Sequence, residues 1–300
     1  MHRQTPLPPG FEVGAFTFAE ARAAGVSAKR LRSRDVEHPF WGVCLTAGSA
    51  IDLNDRCRAL QQRMPVGAFF SHATAARLYG MPLPAQLEAD PLLHVTVLDP
   101  DRALRATGVI GHSVADRPEV YRVAGLPVLE PISVWCQLAS ILQLNDLVAV
   151  GDHLLRPELG LATAPEITAR ILQYSGNRGA RRLRAAGALI RPRVESRRET
   201  FLRLFLMMCG FPEPETNLNI PLPAGKRRVR GDLVYLRYKI LVEYDGEQHR
   251  TDSAQYNRDA ERLHDLRGAG GLVITVRKGS SQDWVRSAVD GALRSRGWRP

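Results

Sequence analysis

Residues 228–246, RVRGDLVYLRYKILVEYDG, limit the possible folds of this chain more than any other stretch. Two apolar runs, Leu233 to Leu236 and Ile240 to Val242, flank Arg237 and Tyr238, the pattern of a β-hairpin with a two-residue turn. A four-residue loop centred on the same point gives the same register. Opposed residues then have numbers with a constant sum, so Leu236 faces Lys239, Val234 faces Leu241 and Asp232 faces Glu243. Directly opposed side chains share a face of the sheet with Cβ atoms about 5 Å apart. Asp245, two residues beyond Glu243, shares that face as well. Three carboxylates therefore converge where the hairpin leaves an apolar core.

Like charges placed opposite one another destabilise a sheet, and desolvation beside apolar side chains raises the cost. A bound divalent cation relieves it, as does one acid holding a proton for catalysis. The chemically inert alternative is a strand end splayed into solvent, each carboxylate paired with an arginine such as Arg230, Arg250 or Arg258.

A length of 300 residues suggests two or three domains, and 44% apolar against 24% charged residues is enough to build real cores. No apolar run approaches the roughly 18 residues of a membrane span, and MHRQTPLPPGFEV lacks the layout of a signal peptide. The expectation is a soluble cytoplasmic protein with no membrane partner. Cys44, Cys57, Cys136 and Cys209 form no CxxC pair, so they read as reduced core thiols. A net charge of +10 favours a polyanionic partner, nucleic acid above all. Against that, only Lys29, Lys226, Lys239 and Lys278 among the 41 basic residues are lysine. An Arg- and Ala-rich composition also follows from codon bias, which loads arginine onto any surface.

Near the N-terminus, FTFAEARAAG (16–25) reads as a short helix closed by Gly25. VSAKRLRSRDV follows as a second helix with Ser27 as N-cap and Leu31 inward, then HPFWGVCLTAG as a strand pair. Helix, tight turn, basic helix and ribbon is the layout of a winged helix-turn-helix, with Lys29, Arg30, Arg32 and Arg34 on or beside the recognition helix. An ordinary helix with a solvated basic face fits the same residues. The middle region alternates helical segments (NDRCRALQQRM, SHATAARLYG, SVWCQLASIL, LNDLVAVGDHLLR) with strands (LLHVTVLD, GVIGHSV) and carries no visible catalytic constellation. Its histidines, His72, His94, His112 and His153, lack metal-ligand spacing and read as core or surface residues. Residues 178–198 then hold eight arginines against Glu195. That run is either a solvated helix face or a phosphate contact, with Arg181, Arg182 and Arg184 as the candidates.

Asp232, ten residues and then Glu243-Tyr244-Asp245 resembles the PD-(D/E)XK nuclease core, most closely its very-short-patch-repair-endonuclease-like branch. The E-x-D-G and His of that branch correspond to Glu243, Asp245, Gly246 and His249. Its Arg-Asp helix start and further Arg correspond to Arg258, Asp259 and Arg262, and its strand ending in Arg to GAGGLVITVR and Arg277. The upstream S-x-x-E helix start corresponds to Ser196 and Glu199, and the whole resemblance covers residues 195–300. In the usual motif a Lys stands two residues after the Glu, where this chain has Asp245. More weakly, the first half resembles AbiEi-type antitoxins and transcriptional regulators in its helix-turn-helix start, FSHATAARLYGMPLP and LHVTV.

These resemblances imply an α+β multidomain chain. Its parts would be a winged helix-turn-helix (1–52), an α+β middle region (53–175), a basic linker or helix (176–194) and a restriction-endonuclease-like α/β/α domain (195–300). The implied function is a Mg²⁺- or Mn²⁺-dependent DNA endonuclease. Asp232, Glu243 and Asp245 would hold the metal, Glu199 would reach the site, and His249 would transfer a proton. Arg258, Arg262 and Arg277 would contact the DNA backbone. Two rival readings keep the same residues. One is a non-catalytic DNA-binding regulator with a degenerate nuclease fold, and the other a toxin–antitoxin component that binds a partner protein.

Overall fold

The computed structural model describes residues 5–11, 14–40, 42–46, 52–221, 228–245, 266, 268 and 270–300. It is an α+β protein with several sheets, in two compact units, residues 1–141 and 142–300.

The first unit opens with β1 (Ala15–Thr17), α1 (Phe18–Ala23), α2 (Ala28–Leu31), β2 (Val36–Phe40) and β3 (Val43–Thr46). The helix expected from residue 16 starts at Phe18 instead. Thr17 and Glu20 close a capping box there, and Phe16 is buried on β1. Ser27 caps α2 through the Arg30 amide, and Leu31 points inward. The strands form a sheet in the order β1-β3-β2 over a small core of Leu7, Phe16, Ala21, Val26, Leu31, Val36 and Cys44.

The unit continues with α3 (Leu53–Gln61), β4 (Phe69–Phe70), α4 (His72–Leu78), α5 (Ala85–Glu88), β5 (Leu93–Leu98) and β6 (Val109–Val114). It closes with β7 (Val120–Val123), β8 (Leu126–Leu129) and α6 (Pro131–Leu138). The second sheet has the order β6-β5-β4-β8-β7, and α4 packs against α6 beside it. Burying Phe69, Phe70 and Trp135 completely supplies much of its stability, at about 1.5–3 kcal/mol for a large apolar side chain. His72, His94 and His112, which no local spacing relates, are brought together by the parallel pairing of β5 with β6 and by the start of α4.

The second unit begins with α7 (Leu144–Leu154), α8 (Ala164–Gln173), α9 (Ala180–Leu189) and α10 (Arg197–Met208). Next come β9 (Glu215–Pro221), β10 (Arg228–Tyr235), β11 (Ile240–Asp245), β12 (Leu272–Arg277) and α11 (Gln282–Ser295). The strand order is β12-β11-β10-β9, with β9, β10 and β11 antiparallel and β12 parallel to β11. A parallel neighbour requires a crossover, here residues 246–271, most of which lie outside the described residues.

Residues 142–194, expected to divide between the middle region and a basic linker, pack instead with the C-terminal part. The reason is a charge with no access to water. Arg203 of α10 is 0% exposed and donates to Asp152 of α7 at 3.1 Å, to the Leu189 carbonyl at 2.9 Å and to Glu213 at 3.2 Å. Asp152 also accepts from the Arg191 amide at 2.6 Å and the Thr200 hydroxyl at 2.8 Å. Removing one partner of a buried pair strands the other charge. Asp152→Ala should therefore destabilise the protein by about 3–5 kcal/mol in urea unfolding. A double change to Leu at 152 and Met at 203 should recover most of that loss. A single-mutant loss below about 1 kcal/mol, the range of an exposed pair, would contradict this account.

Candidate functional site

The hairpin has the register read from the sequence. Leu233 pairs with Val242, Val234 with Leu241 and Tyr235 with Ile240, which puts Asp232 opposite Glu243 one step further on. The turn is the longer variant, a 3₁₀ segment Leu236–Tyr238 followed by Lys239 in the left-handed region. Alternation divides the strands. Leu233, Tyr235, Ile240 and Val242 pack against α10 and α11, whereas Val234 and Leu241 pack with Leu266 and Val273 on the other face. By the same period of two, Asp232, Glu243 and Asp245 belong to that second face. The Asp232 carboxylate accepts the Tyr244 amide at 2.9 Å, and Glu243 is 7% exposed.

Glu199 reaches this region from the first turn of α10. Its carboxylate accepts from Ser196 Oγ at 2.7 Å, the Glu195 amide at 3.1 Å and Asn217 Nδ2 at 2.7 Å. Burial pushes its pKa above the ordinary value. The three donors pull it down, and the charge of Asp232 adds to the rise. Asn217 was not singled out in the sequence. It sits on β9 at φ 46, between the Leu218–Gly231 and Thr216–Leu233 pairs and so across from Asp232. Asparagine tolerates this conformation better than most residues, and Asn in the middle of ETNLNIP was the available signal.

Asp245 is not drawn into a three-carboxylate group. It pairs with Arg277 at 3.2 Å, because the parallel register makes them neighbours across β11 and β12. Among the described residues, no three of Glu199, Asp232, Glu243 and Asp245 bring carboxylate oxygens mutually within 4.8 Å. His249, Arg258 and Arg262, together with Arg250, lie outside the described residues. Arg230 pairs with Glu195 of the segment before α10.

The expected DNA-contacting residues separate by environment. In the first unit Lys29, Arg32 and Arg34 are exposed. Arg30 faces inward with a 13% exposed side chain, bound to Asp35 through two hydrogen bonds of 2.9 and 2.8 Å. The pair ties the end of α2 to the turn that follows it. In the second unit Arg181 and Arg184 are exposed on α9, and Arg182 donates to the Leu142 carbonyl at 2.7 Å. A further contact went unread in the sequence: Arg198 Nη1 donates to the Tyr244 hydroxyl at 2.7 Å and stacks over its ring. Those two residues border a cleft of about 530 Å³ lined by Phe201, Phe205 and Met208, which takes in none of the four carboxylates.

No protein-family model matches the chain. It is 26% identical over 228 residues to the uncharacterized protein Rv2248 of Mycobacterium tuberculosis (strain ATCC 25618 / H37Rv), covering 75% of this chain and 80% of that one. The same figures hold for the uncharacterized protein MT2308 of strain CDC 1551 / Oshkosh. The crystal structure of the RV2827C protein from Mycobacterium tuberculosis is similar with a TM-score of 0.35 and 18% identity, over 59% of this chain and 77% of that one.

The raised pKa of Glu199 has a sign that can be measured. The folded protein holds this proton more tightly than the unfolded chain, whose value is near 4.5. Its contribution to stability is therefore complete below that value and is lost as pH rises through the folded pKa. Glu199→Gln lacks this loss. Urea unfolding at a series of pH values from about 4 to 7 should show wild type falling relative to the variant. A pH-independent difference would remove the buried-acid account.

Proposed function

We propose that residues 195–300 form a metal-dependent endonuclease core acting on DNA phosphodiesters, and that residues 1–52 form a winged helix-turn-helix that contacts duplex DNA. The order of α10, antiparallel β9-β10-β11, a crossover, parallel β12 and α11 agrees with the layout the nuclease resemblance implies. The observation that carries the reading is the gathering of acids from three elements. Glu243 is buried on β11, Asp232 lies on the neighbouring strand, and Glu199 of α10 is bound to Asn217, the β9 residue across from Asp232. A strand end shaped only for solvent has no reason to bury Glu243.

The donors fit a hard cation held by two carboxylates, since Mg²⁺ takes one or two together with waters and substrate phosphates. Asp232 and Glu243 would hold it, and when bound it would lower the pKa of a water and offset phosphodiester charge. Asp232 also fixes the Tyr244 amide, and Glu199 fixes the Asn217 kink behind it. Arg277, with a 65% exposed side chain, can exchange its exposed pair with Asp245 for a phosphate oxygen. His249 remains the proposed proton acceptor. The regulator reading has one observation in its favour: Asp245 is held by Arg277 and does not complete a three-carboxylate group.

Cleavage assays with Mg²⁺ and Mn²⁺ on supercoiled, nicked, mismatched and single-stranded DNA separate the two. Asp232→Ala and Glu243→Ala should each abolish cutting and preserve binding in EDTA, whereas Asp245→Ala should only slow it. Activity that survives Asp232→Ala would identify a contaminant. Absence of cutting on every substrate, with sequence-specific binding intact, would establish the regulator.

The first unit gives a separate expectation. Replacing Lys29, Arg32 and Arg34 by Ala should weaken duplex binding and flatten its log–log salt dependence by roughly 0.9 per lost phosphate contact. Arg30→Ala should lower the melting temperature instead. Anisotropy titrations that leave the triple variant unchanged would remove the helix-turn-helix assignment.

A further inference from the structure

Three histidines from three elements meet in the first unit. His72 opens α4, His94 lies on β5 and His112 on β6. One ring nitrogen from each lies within 4.8 Å of the other two, the only such set of His, Cys, Asp or Glu among the described residues. His94 Nδ1 and His112 Nε2 are 3.0 Å apart. His72 has φ 49, a value rarely adopted by a residue with a Cβ, and its ring lies 3.8 Å from that of His112 and 5.4 Å from that of His94.

The surroundings suit metal ligation. Ser71 Oγ lies 2.9 Å from His72 Nδ1 and also takes the Thr96 hydroxyl at 2.7 Å. If Ser71 accepts the His72 Nδ1–H, the tautomer is fixed with the lone pair on Nε2, as outer partners of metal-bound histidines do. Burial and the neighbouring imidazoles push His72 down to about 3 and His94 to about 4. The rings are thus neutral near pH 7, and their lone pairs need no deprotonation.

We propose that His72, His94 and His112 bind a borderline divalent transition metal, Zn²⁺ in chemical type, through three imidazole nitrogens with a fourth position open to water. Imidazole suits Zn, Cu, Ni and Fe, while Mg and Mn prefer oxygen ligands, so this ion differs in class from the one proposed for Asp232 and Glu243. Metal–nitrogen bonds of about 2.0–2.1 Å in a tetrahedron put ligand nitrogens roughly 3.3 Å apart. The 3.0 Å separation of His94 and His112 needs only a small opening. The three rings are within 22° of parallel, so they must turn about χ2 for their lone pairs to converge.

The test uses the full chain, stripped with EDTA and desalted, titrated with Zn²⁺ by calorimetry and with Co²⁺ by visible absorption. One equivalent should bind, and Co²⁺ should give the intense d–d band of a four-coordinate site. His72→Gln, His94→Gln and His112→Gln should each weaken binding at least about 100-fold. Losing even an outer partner of a ligand costs about 10- to 100-fold, and Ser71→Ala should fall in that range. Asp232→Asn should leave the affinity unchanged, and affinity lost in that variant instead would assign the ion to the acidic site and overturn the proposal. Circular dichroism checks the fold of each variant. Should the histidine variants unfold, zinc-edge X-ray absorption on the loaded wild type decides, with nitrogen neighbours near 2.0 Å expected. An all-oxygen shell, no uptake below about 1 mM, or affinity retained in a folded His94→Gln would overturn it.

Discussion

The buried pair of Arg203 and Asp152 organises the second unit. A guanidinium at 0% exposure is tolerable only where carboxylate and carbonyl oxygens surround it, and those oxygens come from α7, the end of α9 and Glu213. The pair thereby fixes α7 and α9 against α10. Glu199 lies four residues before Arg203 and Thr200 three before it, so the same helix face presents the second buried acid to Asn217. Arg203 Nε has no hydrogen-bond partner, a residual cost that an apolar core would not carry. Such a pair adds little net stability over apolar side chains, but it penalises any packing that separates its partners.

The legible part of the chain was the part governed by short-range pattern. The period-two alternation around residues 233–242 set the hairpin register, since a one-residue slip would expose Leu233 and Val242 and bury charge. Ser27 marked a helix start because a hydroxyl must meet an orphan amide, and the resemblance carried the start at Ser196, which the fold caps in the same way. The strands at β5 and β6 were visible as apolar, β-branched segments, and β12 came from the resemblance as the strand ending in Arg277.

What was not legible depended on tertiary pairing. His72, His94 and His112 are 22 and 18 residues apart in sequence, and no local rule relates them until β5 and β6 pair in parallel. The unit boundary near residue 141 was hidden because the residue holding the helices to the C-terminal part, Asp152, looks in sequence like any solvated acid in GDHLL. The ion pair of Arg30 was hidden in the same way, because its partner Asp35 lies beyond the helix, across the turn. Among the candidate acids, the partner of Asp245, Arg277, arrives only with the crossover to β12.

The same pairings change the meaning of the net charge. Arg30, Arg191, Arg197, Arg203, Arg230 and Arg277 each engage a carboxylate within their own unit. Their charge is largely cancelled at short range, so a total of +10 does not form one uniform field. A polyanion would respond to exposed residues such as Lys29, Arg32 and Arg34 in the first unit and Arg181 and Arg184 in the second. Arginine suits both roles for one reason. Its planar fork binds a carboxylate or a phosphate with the same geometry, and the choice depends on whether an acid stands within reach. At Arg277 one does: Asp245 stands across the parallel pair, and the side chain is held there in an exposed contact of the weak kind.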